Sequence, residues 1–219
     1  MLLDLLVTNN WERPIYFNNT SLQSIGLDLS AYIAHEGTTY RLLPVRNPNP
    51  QQELVNTEVM WENVMNNFHW RQLDNPDVYY SEDYRNFILN HRAAFNTLAG
   101  ALIDEGDEAR ALQALHKSLE VMPDATFEYD YATALTVQLL IEAGDVERAS
   151  EIASVMAARA DEFLAYLNRE NRDIGNQRQY HLVILNQLSR ALAAGGREEE
   201  AMRYQQILGK YYPAALQQR

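Results

Sequence analysis

Two regimes of apolar spacing divide this chain. From Ser81 onward apolar residues recur at i, i+3, i+4 and i+7, and predict helices over 82–104, 107–122, 125–142, 146–170, 175–194 and 197–211. Ser81 suits a helix start, and Asp107 and Asp145, each following a glycine, are predicted caps. Residues 1–75 are mixed. Positions 2–7 suggest a helical turn or two, ending near Asn9 and Asn10. Runs 13–17 and 38–45 are β-type, whereas 27–35 has helical spacing and stops at Gly37. Asn47-Pro48-Asn49-Pro50 is a strong breaker, and 53–68 predicts an amphipathic helix with Leu54, Trp61, Met65 and Phe68 on one face. The simplest arrangement pairs the two β-type runs in a small sheet beside a helix. Asp74-Asn75-Pro76-Asp77 then separates a small α/β segment, 1–75, from a helical domain, 76–219.

The helical part contains an internal repeat. Phe95, Leu98, Ala99, Leu102, Gly106, Ala111, Leu115, Ser118 and Pro123 fall where a tetratricopeptide repeat, a helix–turn–helix unit of about 34 residues, has its packing positions. Helices approach closely only where a side chain is small, and the turn between them needs a residue tolerant of positive φ. Gly144 with Ala149, and Gly196 with Ala201, repeat the spacing of Gly106 with Ala111, and Pro213 follows Gly196 as Pro123 follows Gly106. The glycine steps are 38 and 52 residues. The longer step predicts a lengthened helix around 161–172. The expected fold is mainly α: about three tetratricopeptide-like antiparallel helix pairs, preceded by the small α/β segment. Three units suffice to bury a continuous core.

Composition narrows the functions. The formal net charge of −12 is spread along the 219 residues, which disfavours nucleic acid and anionic membrane surfaces as partners. Arginine outnumbers lysine 16 to 2. The absence of cysteine excludes disulfides, thiolate zinc sites and cysteine nucleophiles. No run approaches the ~18 apolar residues of a membrane span, and the short apolar opening lacks the basic start of a signal peptide. The chain as given is expected to be soluble.

Longer strings carry a second resemblance, over the whole length. Asp4-Leu5-Leu6 followed by Asn9-Asn10-Trp11-Glu12-Arg13-Pro14-Ile15-Tyr16-Phe17 resembles the opening of the C-terminal region of a family of polytopic bacterial membrane proteins, domain of unknown function 2723. The eukaryotic relatives of that family are transmembrane protein O-mannosyltransferases. Glu36-Gly37 with Tyr40-Arg41-Leu42-Leu43-Pro44-Val45, and Asp77-Val78-Tyr79-Tyr80 with Glu82-Asp83-Tyr84-Arg85, are similar to its next blocks. The resemblance implies the soluble tail of a membrane glycosyltransferase-like protein, on the extracytoplasmic (periplasmic) side. The family's acidic catalytic residue lies in the membrane region and has no counterpart here. Met1 is then expected to be a start introduced for expression.

Candidate chemistry is sparse. No phosphate loop, dinucleotide glycine motif or serine elbow occurs. His116 and Glu120 are read as a solvated i,i+4 pair rather than metal ligands, and His35 as a cation at a helix end. No metal and no cofactor is expected. The groove of the repeats is the candidate binding surface, with Asn96, Gln138, Glu142, Asn186 and Arg190 projected into it. An alternative site is Trp11, Arg13, Tyr16 and Arg41, where aromatics stack on sugar and arginine bridges hydroxyls. Against it stands the burial of Trp11 and Phe17 in packing. Tyr79, Tyr80 and Tyr84 are expected to cap the first helix pair. The expected function is a non-catalytic module binding a protein, a peptide or a glycan acceptor. The alternatives are an accessory region completing a sugar-transfer site, and a purely structural cap.

Overall fold

The computed structural model describes residues 2–49, 51–172 and 174–212. Pro50 and Pro213, a predicted breaker and a predicted helix terminator, lie outside the described residues. The chain forms two compact units, 1–69 and 70–219.

The first unit holds helix α1 (Leu2–Asn9), strand β1 (Tyr16–Phe17), helix α2 (Asn19–Ser24), strands β2 (Ile33–His35) and β3 (Tyr40–Leu42), and helix α3 (Thr57–Trp61). The strands form an antiparallel sheet of order β1-β3-β2, with Tyr16 opposite Arg41 and His35 opposite Tyr40. The two predicted β-type runs do pair. The helix expected over 27–35 is corrected. The Asp28 carboxylate accepts the Ser30 amide (3.1 Å) and hydroxyl (2.6 Å), one 3-10 turn follows over Ser30–Tyr32, and Ile33–His35 then extends to fill the third strand. Ladder pairing with β3 outweighs a local helical spacing of apolar residues. Gly37 closes this hairpin at φ +134°, where an added Cβ would come within 3.1 Å of the Phe68 ring.

The helix expected over 53–68 is also corrected. Leu54 and Asn56 hydrogen-bond the backbone of His35, so the chain is extended there. Asn56 then caps α3, and Glu62–Asn67 widens into a π turn. The later start rephases the face, so that Met60 and Val64 are the fully buried side chains.

The second unit is helical: α4 (Arg85–Asp104), α5 (Glu108–Val121), α6 (Tyr131–Glu142), α7 (Val146–Arg169), α8 (Gln177–Ala194) and α9 (Glu198–Tyr211). They form three antiparallel pairs, α4/α5, α6/α7 and α8/α9, and the first helices α4, α6 and α8 pack side by side. The repeat positions Phe95, Leu98, Ala99, Leu102, Ala111, Leu115, Ala149 and Ala201 are all buried. Gly106, Gly144 and Gly196 turn each pair at φ +79°, +96° and +77°, conformations that cost a side chain strain. Asp107 and Asp145 then cap α5 and α7 through the amides of Arg110 and Arg148. The long second step is taken up by α7, 24 residues against 14 in α5 and α9. The helix predicted from 125 starts only at Tyr131. Asp130 and Thr133 form a capping box there, leaving 123–130 as a structured loop.

Candidate functional site

That loop lines a concavity of the second unit. Arg92 projects from the buried face of α4 and is only 2 % exposed. Its guanidinium donates to the carbonyls of Met122 (3.0 Å), Phe127 (2.7 Å) and Glu128 (3.0 Å) and to Asp130 Oδ2 (2.8 Å). A second arginine, Arg159 on α7, grips the loop from the other side through a bidentate pair with Asp124 at 3.0 and 2.8 Å. Asp124 Oδ1 also accepts the Tyr129 amide. Burial works against ionisation of Asp124, but the Arg159 and Tyr129 hydrogen bonds outweigh it and hold the carboxyl below its ordinary range.

Between this loop, residues 76–82, the first turns of α4 and α8 and the middle of α7 lies a cleft of about 930 Å3. Its aromatic lining is Tyr79, Tyr80, Phe127, Tyr129, Phe163 and Tyr180. The Phe163 and His181 rings lie 4.7 Å apart, and Tyr80 packs on Phe127 at 4.8 Å. Tyr180 Oη accepts the amide of Tyr131, fixing the ring at the start of α6 (3.1 Å). Burial, with Arg159 adding to it and Glu128 opposing, depresses the pKa of His181, so the imidazole is neutral near pH 7. The cleft combines aromatic faces, a neutral imidazole and arginine–carboxylate pairs already satisfied within the protein.

Sequence spacing did not single out this place. Arg92 was legible in one respect: it sits four residues after Ile88 and three before Phe95, on the face that packs inward. A cation on a core face needs a built partner, and the acidic loop after Pro123 supplies it. Of the three tyrosines expected to cap the helices, Tyr80 and Tyr84 are in edge contact at 5.5 Å, whereas Tyr79 is 90 % exposed.

The predicted groove residues do not gather here. Asn96 is corrected: it is 3 % exposed, donates to the Ala132 carbonyl and accepts from the Thr136 hydroxyl, each at 2.8 Å, and ties α4 to α6. Gln138 donates to Glu142 at 2.8 Å on α6, and Asn186 and Arg190 are exposed on α8. The solvated pair of His116 with Glu120 is replaced by His116 to Asp145 at 2.7 Å, a contact between successive helix pairs.

In the first unit the structure joins two members of the alternative site. Tyr16 and Arg41 face each other across β1 and β3 over the buried carboxylate of Glu36. Tyr16 donates to Glu36 Oε2 (2.7 Å), Asn56 donates to Oε1 (3.0 Å), and Arg41 lies 3.6 Å from Oε1. The hydrogen bond to Glu36, then burial, raises the pKa of Tyr16. Trp11 and Arg13 are exposed. Trp11, at 45 %, is not buried in packing as expected, and it stands at φ +62°. His35 ends a strand rather than a helix. Its ring stacks on Tyr40 at 4.5 Å, and Nδ1 is 3.0 Å from Glu53 Oε1 without hydrogen-bond alignment. Among the described residues no cluster of His, Asp and Glu could hold a metal ion, and no helix is long and apolar enough to cross a membrane.

Residues 1–59 match the family model TMEM260-associated domain 2. The match falls within the first unit and links that part of the chain to a TMEM260-like, O-mannosyltransferase-related family. No curated protein and no solved structure matches the chain.

Proposed function

We propose that this chain is a non-catalytic interaction module of a membrane glycosyltransferase-like protein of the domain-of-unknown-function-2723 kind, acting on the extracytoplasmic side. The matched N-terminal segment supports the association with glycosyltransferases. The 930 Å3 aromatic cleft carries the reading of a binding module. It lies at the upper end of the roughly 300–1,000 Å3 range of ligand sites. Its charged walls are paired internally, so ligand contact falls to the rings and to the few polar groups left over. Helical repeats bury continuous cores and leave a shaped surface for partners.

The test has two arms. Purified chain, given a lipid-linked sugar donor and acceptor protein, is expected to turn over neither; turnover lost on a point substitution within this chain overturns the reading. Titration with peptides and oligosaccharides is expected to move the ring resonances of Phe163, Tyr180 and His181 saturably. Shifts confined to Gln138, Asn186 and Arg190 would move the site to the exposed faces of α6 and α8.

A second reading has its own observation. The Tyr16–Glu36–Arg41 constellation lies inside the matched segment, with Tyr16 and Arg41 partly exposed. It suits an accessory role in which this surface completes a sugar-transfer site. Tyr16→Phe and Arg41→Ala in the longer protein would then lower transfer by more than the fall in folded fraction that follows from leaving Glu36 with fewer partners.

A further inference from the structure

Resting on the reading of the cleft as the binding surface, we propose that its ligand is an extended cationic peptide segment, with lysine or arginine side chains between apolar ones. The charge of the lining decides the sign. Asp77, Glu82, Asp124, Glu128 and Asp130 line the cleft against Arg85, Arg92 and Arg159. Each arginine has a carboxylate partner: Arg92 is paired with Asp130 at 2.8 Å and Arg159 with Asp124 at 2.8 Å, both partly or wholly buried, and Arg85 with Glu82 at 2.6 Å on the exposed surface. Asp77 and Glu128 are both exposed and form no ion pair among the described residues, Glu128 lying close enough to Arg159 and His181 to act on both electrostatically. An anionic ligand would have to compete with the carboxylates already on these arginines and approach Asp77 and Glu128. A cationic one meets unpaired charge, on a protein whose formal net charge of −12 steers it inward.

The aromatic lining points the same way. Rings take cations on their faces within about 6 Å of the centroid. The protein's own Arg92 uses Tyr129 in this manner, at 5.8 Å. Tyr79, Tyr80, Phe163 and Tyr180 present further rings to the same space, and Tyr79 is 90 % exposed at its mouth. Such rings accept both an ammonium and the apolar side chains beside it. A neutral sugar would use the rings and leave the two unpaired carboxylates without a counter-charge.

The experiment uses the full chain and a fluorescein-labelled, end-blocked octapeptide alternating lysine and leucine, followed by anisotropy. Saturable binding is expected, weakening steeply as salt rises from ~0.05 to ~0.5 M, across which the screening length falls several-fold. The same peptide with glutamate for lysine is expected to bind at least about tenfold more weakly. The double variant Asp77→Asn/Glu128→Gln should lose about tenfold, as two surface-exposed pairs allow, with its thermal midpoint unchanged. The control Glu198→Gln/Glu199→Gln, on α9, should bind as the unaltered chain does. Equal affinity for the lysine and glutamate peptides, or full affinity in the double variant, overturns the proposal. If mannotriose or chitotriose moves the Phe163, Tyr180 and His181 resonances while the lysine peptide does not, the cleft remains the binding surface and the cationic peptide is refuted. If no probe moves them, the cleft reading falls as well.

Discussion

Arg92 ties α4 to the loop before α6 through four hydrogen bonds. Its guanidinium satisfies three carbonyls of a loop that has no ladder or helix to satisfy them, and it pairs with the carboxylate that caps α6. Truncation leaves those acceptors buried without donors. Arg92→Ala should therefore cost about 3 kcal/mol or more, read as a fall in the urea midpoint. Arg92→Lys should recover little of this, because an ammonium lacks the planar fork that reaches four acceptors at once. A midpoint within ~0.5 kcal/mol of the original would show that the loop holds itself. Two histidines set a pH dependence. Burial lowers the pKa of His91 and is the first cause lowering that of His181, so each binds its proton less readily folded than unfolded. Their contribution to stability is present above the ordinary histidine value of ~6.5 and is lost as pH falls through it toward the lower folded values. Asp124, also depressed, loses its contribution further into the acid range. The thermal midpoint should fall between about pH 7.5 and 5, and less so in His91→Phe/His181→Phe; a midpoint that rises on acidification would contradict the assignment.

Pairing geometry governs the elements. Ala111 is fully buried where α5 meets α4, so Ala111→Glu puts a charge into a close helix crossing and should cost several kcal/mol, ~3 or more. Circular dichroism melting that leaves the midpoint unchanged would refute this packing register. The helix pairs were legible because each depends on local information: a glycine for the turn, an aspartate cap, and apolar positions a turn apart. Helix α6 was misplaced by six residues at its start. The loop before it is held by Arg92 and Arg159, 30 to 38 residues distant from their partners in the chain, and no local pattern announces such bonds. β2 was missed for the same reason, since the apolar spacing of 27–35 suits a helix and only the neighbouring β3 makes it a strand. Of the alternative site, Tyr16 and Arg41 were legible as members of a set with Trp11 and Arg13, drawn from two separate strings; that these two meet over Glu36 is a matter of strand pairing. The cleft was not legible, because its walls come from four separate stretches of sequence.

At the scale of the molecule, the two units have separate cores. Met60 and Val64 are fully buried in the first, whereas Phe95, Leu102, Leu140 and Leu188 are fully buried in the second. The second unit has roughly the size at which a domain sustains its own hydrophobic core, and its helix pairs cover one another in series, α4 with α6 and α6 with α8. Residues 70–219 expressed alone should thus fold, with a strongly helical far-UV spectrum and one cooperative urea transition. Within the intact chain, Met60→Ala leaves a cavity in the first core and should cost about 2–5 kcal/mol there. Ala111→Glu acts in the second. Substitutions in independently folding units add in their effects within roughly 0.5 kcal/mol. The double variant should accordingly show the first unit's transition shifted as by Met60→Ala alone and the second's as by Ala111→Glu alone, followed by the fluorescence of Trp11 and Trp61 in a Trp70→Phe background and by helical ellipticity respectively. A coupling of more than about 1 kcal/mol between the two substitutions, or failure of 70–219 to fold, would mean that the two cores form one cooperative structure.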